Sequence, residues 1–552
     1  MSININKSKT MRKLTFKNHL FSLAAICGLV VVFASCANED VVQNLNGTDS
    51  DKNLTIFSTG EDPITRTSME SNGTFYWEAG DKIWVKDDDG AWQKSSNSPT
   101  SKTASFKFKV PGKFTQSNTY KVYYPGQNGS QNQVTISANQ TQTEPNSTAH
   151  FGTSGDCGTA NATWSNAKGG FAFTLDHQAA YLIFQPYTSN TVLHDCYLTK
   201  IEVTSNNDIT DTYTLTPSTG ALTGTGSGNQ IILTTKGSGT YVNGFPLTNS
   251  TASVTTNGAY MVIKPGKRRL RIRYWIKDIN TNVEGTITKL LSPVTFVKNK
   301  YYNITSDLNI REYDGHHYYM WDAAQNFWSG HEWDSADPWQ PTLNGESDIH
   351  YPHSNLDPRW HNTSIASPSN PCDASTALFQ TVPSANELSW YDMCGDPRWD
   401  SDELWTTMGG LYKGGMWFKK LSRISLDQGV TIAQMKTRDI NNVDMRTHTI
   451  IPMTIPYYNT TIGHTLPSVS DQSDYFYLPA LGLYSNGSLS GVGQAGSYWS
   501  STAAPTGDNG RAWSMGFSST SIDLNDFGSR RYNGFIAAPF TSSPTGSGPF
   551  FE

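Results

Sequence analysis
Between residues 269 and 274 the chain reads Arg269, Leu270, Arg271, Ile272, Arg273, Tyr274. Strict alternation of apolar and charged side chains predicts a half-buried β-strand, because successive strand side chains point to opposite faces. Tyr213 and Leu215 alternate with threonines in the same way. Tyr181 to Phe184 and Tyr260 to Ile263 are continuous apolar runs of strand length, as expected inside a sandwich. From about 53 to 309 the pattern is short strands separated by turns, with almost no helical period. Two β-sandwiches dividing near residue 185 are the natural reading, giving 53–185 and 186–309.

Beyond 309 the pattern changes. Residues 313–339 concentrate Tyr318, Tyr319, Trp321, Phe327, Trp328, Trp333 and Trp339, with His316, His317 and His331. Ser384-Ala385-Asn386-Glu387 is a capping box after Pro383, and Gly395 stands where a helix should stop. Asp402 to Met408 is a second short helix candidate. The last hundred residues return to strands and turns, including the nearly uncharged stretch from Tyr475 to Thr502. In it Trp499 and Tyr477 are expected in the core and other rings on the surface. Near the tail, Trp513, Met515 and Phe517 share one side of a strand and Ser514 and Gly516 the other.

The N-terminus changes the reading of compartment. Lys7, Lys9, Arg12, Lys13 and Lys17 precede an apolar run from Leu20 to Phe33, the length of a signal core rather than a membrane span. Phe33-Ala34-Ser35-Cys36 resembles a bacterial lipobox, which implies lipidation of Cys36 (a palmitate-bearing anchor) after loss of residues 1–35. Asn38, Glu39 and Asp40 resemble the surface-export signal of Bacteroidetes lipoproteins, and 36–52 reads as a tether. Loss of the leader removes five basic residues and no acidic ones, moving the formal charge from −6 to about −11. That argues against a nucleic-acid partner, which needs a basic face. Charged residues make up 16% of the chain, which suits an extracellular β-rich protein.

Of six cysteines, Cys157, Cys196, Cys372 and Cys394 remain after Cys27 and Cys36 are assigned. Disulfides Cys157–Cys196 and Cys372–Cys394 are favoured, since each pair lies within one region; the other two connectivities stay open.

Thr65-Arg66-Thr67, Trp77 to Ile83, Phe173 to His177 and Lys300 to Ile304 resemble, in order and spacing, landmarks of the fimbrillin-like pilins of Bacteroidetes. The resemblance covers roughly 53–309. It implies two transthyretin-like β-domains, assembly with pilin subunits by β-strand exchange, and a proteolytic cut for which Arg66 is a candidate. Asn370-Pro371-Cys372, Val382 to Leu388, Tyr477 to Ala480, Gly496 to Thr502 and Tyr532 to Phe535 are similar to landmarks of C-type-lectin-like domains. This second resemblance, to a bacterial branch that includes retroelement-diversified surface proteins, covers roughly 370–540 and implies an α+β ligand-binding domain, which is assigned to 310–552. The fold class is therefore mainly β: two sandwiches followed by an α+β head.

Aromatic and small polar residues suit a recognition surface. Asp508, Asn509, Arg511, Asp523, Asn525, Asp526, Arg530 and Tyr532 fall on loops or exposed faces, and Ser497, Tyr498, Arg511, Asn525, Arg530 and Tyr532 are the candidate ligand contacts. The Glu-Pro-Asn and Trp-Asn-Asp signatures of calcium-dependent sugar binding are absent, so no calcium requirement is expected. His350, His353 and His361 lack a thiolate or fixed carboxylate partner, and no metal or cofactor is assigned. Glu312, Asp314, Glu332 and Asp334 are a weak glycosidase set, so no enzyme activity is expected. Arg269, Arg271 and Arg273 read as a solvated edge or face, or as a basic stripe for an anionic glycan. The resulting expectation is a surface lipoprotein of the outer membrane and fimbrium, acting as a pilus-tip adhesin on a host or bacterial protein or glycan. The alternative is a free lipid-anchored glycan-binding protein of a polysaccharide uptake system.

Overall fold
The computed structural model describes residues 2–5, 53–59, 68–69, 75–216, 219–364, 373–447, 457–505, 510–525 and 529–540. Cys36, Arg66 and Cys372 lie outside them, as do Asp508, Asn509 and Asp526. The protein is mainly β. No helix among the described residues is long and apolar enough to cross a membrane.

The first β unit orders its strands Trp92–Lys94, Trp84–Lys86, Tyr120–Tyr124, Gly158–Ser165, Gly170–Phe173, Leu54–Thr59 and Lys107–Pro111. Its core is aromatic: Phe57, Trp77, Phe108, Tyr120, Phe171 and Phe173 are all buried. Leu54–Thr59 is an interior strand, parallel to Gly170–Phe173 and antiparallel to Lys107–Pro111.

In the second unit two sheets face each other. One orders Ser2–Ile5, Tyr301–Asp307, Ala180–Tyr187 and Ala259–Ile263; the other runs Asn139–Gln142, Gln230–Thr235, Cys196–Ser205, Gly266–Asp278 and Glu284–Phe296. Ser2–Ile5 belongs to the leader expected to be lost, and without it Tyr301–Asp307 becomes the edge strand of the first sheet. Phe184 meets Tyr274 edge-on at 6.2 Å across the core, and the Tyr274 hydroxyl lies 2.6 Å from that of Ser306. The apolar runs at 181–184 and 260–263 are antiparallel neighbours. Ala180–Tyr187 runs across the expected boundary at 185, and Asn139–Gln142 pairs with Gln230–Thr235. The chain therefore crosses between the units more than once.

The cysteines correct the disulfide expectation. Cys157 and Cys196 are buried free thiols, and Cys394 is also free. The Cys196 Sγ is turned toward the Val192 carbonyl, 3.5 Å away. Burial pushes the Cys157 thiol well up and that of Cys196 to about 12. Both behave as small apolar core side chains.

The C-terminal part continues the larger sheet of the second unit. Thr286 bridges to Glu403, and Arg398–Thr407, Gly410–Lys419 and Tyr475–Pro479 follow as successive strands. A second sheet orders Tyr318–Tyr319, Phe535–Ile536, Ala495–Ala503, Ala512–Ser518, Ile522–Asn525 and Tyr457–Asn459. The helix Ala385–Cys394 has the expected capping box, with the Ser384 N–H donating to Glu387 at 2.9 Å. Residues 402–408, expected as a helix, are instead strand up to Thr407. Met408 and Gly409, with φ of 47° and 73°, turn the chain straight into the next strand. Both values match the turn that suits a two-residue hairpin, and pairing overrides the weak helical preference.

The arginine alternation acquires a different meaning here. Leu270, Ile272 and Tyr274 point into the sandwich, and Arg271 and Arg273 are buried on the other face, under the head. Arg273 pairs with Asp400 at 2.9 Å and donates twice to the Thr286 hydroxyl. Arg271 donates to the Pro467 carbonyl and to Gln472, and Arg269 to the Ser470 carbonyl. Glu403 accepts from the Thr288 N–H at 3.0 Å and its hydroxyl at 2.6 Å. Burial opposes the charge on Arg273, and Asp400 and Glu403 outweigh it, holding the guanidinium protonated. The stripe is a joint between sandwich and head, and neither a solvated face nor a glycan surface.

Two consequences can be measured. Arg273→Met strands Asp400 in the seam and should lower stability by about 3–5 kcal/mol in calorimetry. Asp400→Asn, which keeps the shape, should cost less. The second concerns Asp392, buried in the helix Ala385–Cys394. Burial first, and Asp523 second, push its carboxyl up to about 8. A raised acid binds its proton more tightly when folded, so stability is fully present below the unfolded value and is lost as pH rises toward 8. Asp392→Asn should flatten that decline. At pH 8.5 it should exceed the parent by up to roughly 5 kcal/mol in urea titrations.

Candidate ligand face
The aromatic stretch from Tyr475 to Thr502 is core. Tyr475, Phe476, Tyr477, Tyr484, Tyr498 and Trp499 are all buried. The Trp499 indole donates to the Tyr319 carbonyl and its ring stacks on Phe535 at 4.4 Å. Trp513, Met515 and Phe517 share the buried side of their strand as expected. Ser514, on the opposite side, is buried too and pairs with Ser529.

The six candidate contacts separate into two groups. Ser497 and Tyr498 are buried in the strand Ala495–Ala503. Tyr498 donates to the Pro479 carbonyl at 2.6 Å and stacks on Phe517, so it cannot meet a ligand from outside. The strand is covered on both faces, and the alternation that should have exposed one side does not operate. Arg511, Asn525 and Arg530 are half-exposed. Arg511 and Arg530 face each other through an isolated antiparallel bridge. Asn525 lies beside Asp523, whose carboxylate accepts from its amide. Tyr532 is exposed, at 38%. Its neighbour Arg531 is fully buried. It lies over the Trp321 ring at 4.5 Å and donates to the carbonyls of Arg511, Asn362 and Ser364.

The half-exposed rings come from a segment the candidate contacts did not include. His331 stacks nearly parallel on Trp339, which in turn meets His350 at 4.5 Å. Tyr351 meets His353 at 4.0 Å and Trp360 meets His361 at 4.7 Å. Two recesses open along this row. One, of about 530 Å³, is bounded by Trp333, Trp339, Thr342, Glu346 and Asp348. The other, of about 190 Å³, is bounded by Met320, Tyr351, His353, Trp360, Asn486 and Tyr532. Asn486 is held at its rim by a two-residue turn in which Asn486 and Gly487 have φ of 48° and 75°.

Polar partners fix the row. Asp348 accepts from the His350 N–H and lies 2.8 Å from its ring nitrogen. His316 pairs with Asp334, and His317 with Asp314. The Trp333 indole donates to the Asp314 carbonyl at 2.6 Å. Glu332 is occupied by Asn326 and the Gly330 N–H. Of the acidic residues weighed as a glycosidase set, Asp314, Glu332 and Asp334 thus serve local turns and histidines. His353 reaches the Ile349 carbonyl and His361 that of Asn362, so the three histidines 350, 353 and 361 are turned to separate partners. The signal for this face was the density of Trp and His between 331 and 361. Sequence alone does not say which rings in such a segment turn inward, as Trp321, Phe327 and Trp328 do.

The division between scaffold and surface is testable. Tyr498→Phe removes a buried hydrogen bond and should cost about 0.5–1.5 kcal/mol in urea unfolding. Tyr532→Ser should stay within about 0.5 kcal/mol of the parent.

No family model and no curated protein matches the chain. Among solved structures, it is similar to a Bacteroides ovatus protein provisionally described as a cell adhesion protein. That match has 15% identity and a TM-score of 0.26, covering 46% of this chain and 91% of the other. A Bacteroides uniformis protein described in the same way matches at 14% identity and a TM-score of 0.25, covering 46% and 93%. The fimbrial anchor protein Mfa2 of Porphyromonas gingivalis matches at 10% identity and a TM-score of 0.19, covering 43% and 82%. Likenesses at this level define no family for the chain.

Proposed function
We propose that the protein is a cell-surface adhesin whose C-terminal, lectin-like head carries the ligand face and whose β units form a pilin-like base. The observation that carries the reading is the row of half-exposed rings from Trp333 to Tyr532 on a buried aromatic scaffold. Rigid rings give large contact area at small entropic cost, and the Asn, Ser and Asp residues around them supply adaptable hydrogen bonds. The buried joint at Arg273 lets the base present this face in a fixed direction. A lipid on Cys36 and the tether 36–52 would hold the base to the outer membrane until a cut at Arg66 released it, in keeping with the N-terminal pattern.

The strand Leu54–Thr59 supports assembly with pilin subunits by strand exchange. It lies between two other strands, and Phe57 stacks on Phe171 at 5.0 Å and meets Phe114 at 5.1 Å. A cut at Arg66 would leave this strand joined to the rest by hydrogen bonds and packing alone. Its departure would open an apolar groove with two unpaired strand edges, which a strand of another subunit fits.

The adhesin reading is tested on arrays of glycans and of host and bacterial proteins, using the chain from Ala37 onward, with and without EDTA. The expected result is a hit insensitive to EDTA that weakens at least tenfold, about 1.4 kcal/mol, in the Trp339→Ala, Tyr532→Ala double variant. A hit that this variant retains in full would move the ligand site elsewhere. For strand exchange, a protease site is placed within residues 60–67 and a labelled peptide of residues 53–60 is added. Uptake should follow cleavage; equal uptake without cleavage, or none after it, defeats the acceptor reading.

A further inference from the structure
The segment from 331 to 361 leaves large apolar side chains in water. Leu356, Ile349 and Leu343 are 92%, 77% and 57% exposed, three of the four most exposed large apolar side chains among the described residues. Leu343 follows Thr342 and Ile349 follows Asp348, so both stand beside the recess of about 530 Å³ that Thr342 and Asp348 help to bound. Leu356 lies on the next loop, which Arg359 ties back to the His350 carbonyl at 3.1 Å. Single exposed leucines are ordinary, but a group of apolar side chains with a polar rim marks a protein-binding surface.

The rim is acidic. Residues 331–361 hold Glu332, Asp334, Asp337, Glu346, Asp348 and Asp357, and neither lysine nor arginine apart from Arg359. Arg359 is spent on Asp357 at 2.7 Å. The side chains of Asp334 and Asp337 are 47% and 74% exposed. Their chain neighbours Trp333 and Pro338 bound the same recess. Glu346 bounds it directly, and accepts from the Thr342 and Leu343 N–H groups at 3.1 and 3.0 Å. Those donors orient the carboxylate without neutralising it. Carboxylates around apolar groups are complemented by a partner that is both basic and apolar.

The rings favour a protein over a sugar. His331 and His350 lie against Trp339, His353 against Tyr351 and His361 against Trp360. The ring face on which a pyranose would stack is thus partly taken. Exposed leucine and isoleucine side chains gain little from a polar sugar and much from apolar side chains.

We infer that this face binds a protein segment in which apolar side chains are flanked by lysine or arginine. Its apolar groups lie against Leu343, Ile349 and Leu356, and its cations over Asp334, Asp337 and Glu346. The inference rests on the adhesin reading and names the class of its ligand.

The test is fluorescence anisotropy of the chain from Ala37 onward with three short labelled peptides, alternating leucine with lysine, leucine with glutamate, and serine with lysine. The leucine–lysine peptide should bind saturably and at least tenfold more tightly than the serine–lysine peptide, with the leucine–glutamate peptide inert. The Leu343→Ser, Ile349→Ser, Leu356→Ser triple variant, changed only at exposed positions, should weaken binding at least tenfold. The Asp337→Asn, Glu346→Gln double variant should weaken it several-fold and reduce its salt dependence. No saturable binding of the leucine–lysine peptide, equal binding of the leucine–glutamate peptide, or full affinity in both variants would overturn the inference. A glycan hit on the arrays that is lost in the Trp339→Ala, Tyr532→Ala variant would also overturn it, and would leave the adhesin reading standing. Peptide binding that the triple variant loses, with no hit on any array, would sink the adhesin reading and uphold the chemistry of the face.

Discussion

The ion pair between Arg273 and Asp400 is the contact on which the arrangement of the chain depends. It sits where a strand of the sandwich, turned outward, meets the first long strand of the head. An arginine and a carboxylate taken out of water are costly unless their remaining donors and lone pairs are filled. Here Thr286 takes two of the arginine's donors, and the Trp417 indole donates to the second oxygen of Asp400 at 3.2 Å. The same seam engages Lys413, which reaches the Glu284 carbonyl at 2.8 Å. Such a joint fixes register as well as affinity: a slip of one residue would bring Ile272 or Tyr274 to face Asp400. The continuous sheet through Thr286 and Glu403 and the direction of the head both follow from it.

The head solves a second problem with its rings. Its strands are covered on both faces, so few of their side chains are available for recognition. Tyr318, Tyr484 and Tyr498 are buried, and each spends its hydroxyl on a main-chain carbonyl, of Leu481, Pro341 and Pro479 respectively. Each ring therefore fills the core and also fixes an irregular segment by its polar end. The half-exposed rings lie instead in the segment from 331 to 361, where turns set the direction of each ring.

This division explains what the sequence revealed. Local patterns were readable where local physics decides: the alternation at 270–274, the apolar runs at 181–184 and 260–263, and the capping box at Ser384. They were not readable where a distant segment decides. The polar side of 269–273 has the same pattern whether water or a head covers it. Residues 402–408 carry Leu404, Trp405 and Met408 at helical spacing, yet the turn at Met408-Gly409 sends them into a hairpin. Ser497 and Tyr498 belong to a motif whose aromatic and small polar composition fits a display surface, but the second layer over that strand encloses them. Trp339 and Trp360 were visible as residues and not as a surface, because their exposure is set by which neighbouring rings the core absorbs first.

A fixed joint and a buried scaffold also constrain how such a head can change. A substitution at Trp499 or Tyr498 disturbs packing, whereas one at Tyr532 alters only the rim of a recess. Tyr532 and the buried Arg531 are adjacent and differ completely in this respect. Arg531 ties the carbonyls of Arg511, Asn362 and Ser364 to the Trp321 ring, so it anchors the loop from which Tyr532 projects. The same logic separates Asn525, on the rim, from Leu524, whose side chain is fully buried in the core. Exposed positions are interleaved one by one with buried ones, and sequence neighbourhood does not tell them apart.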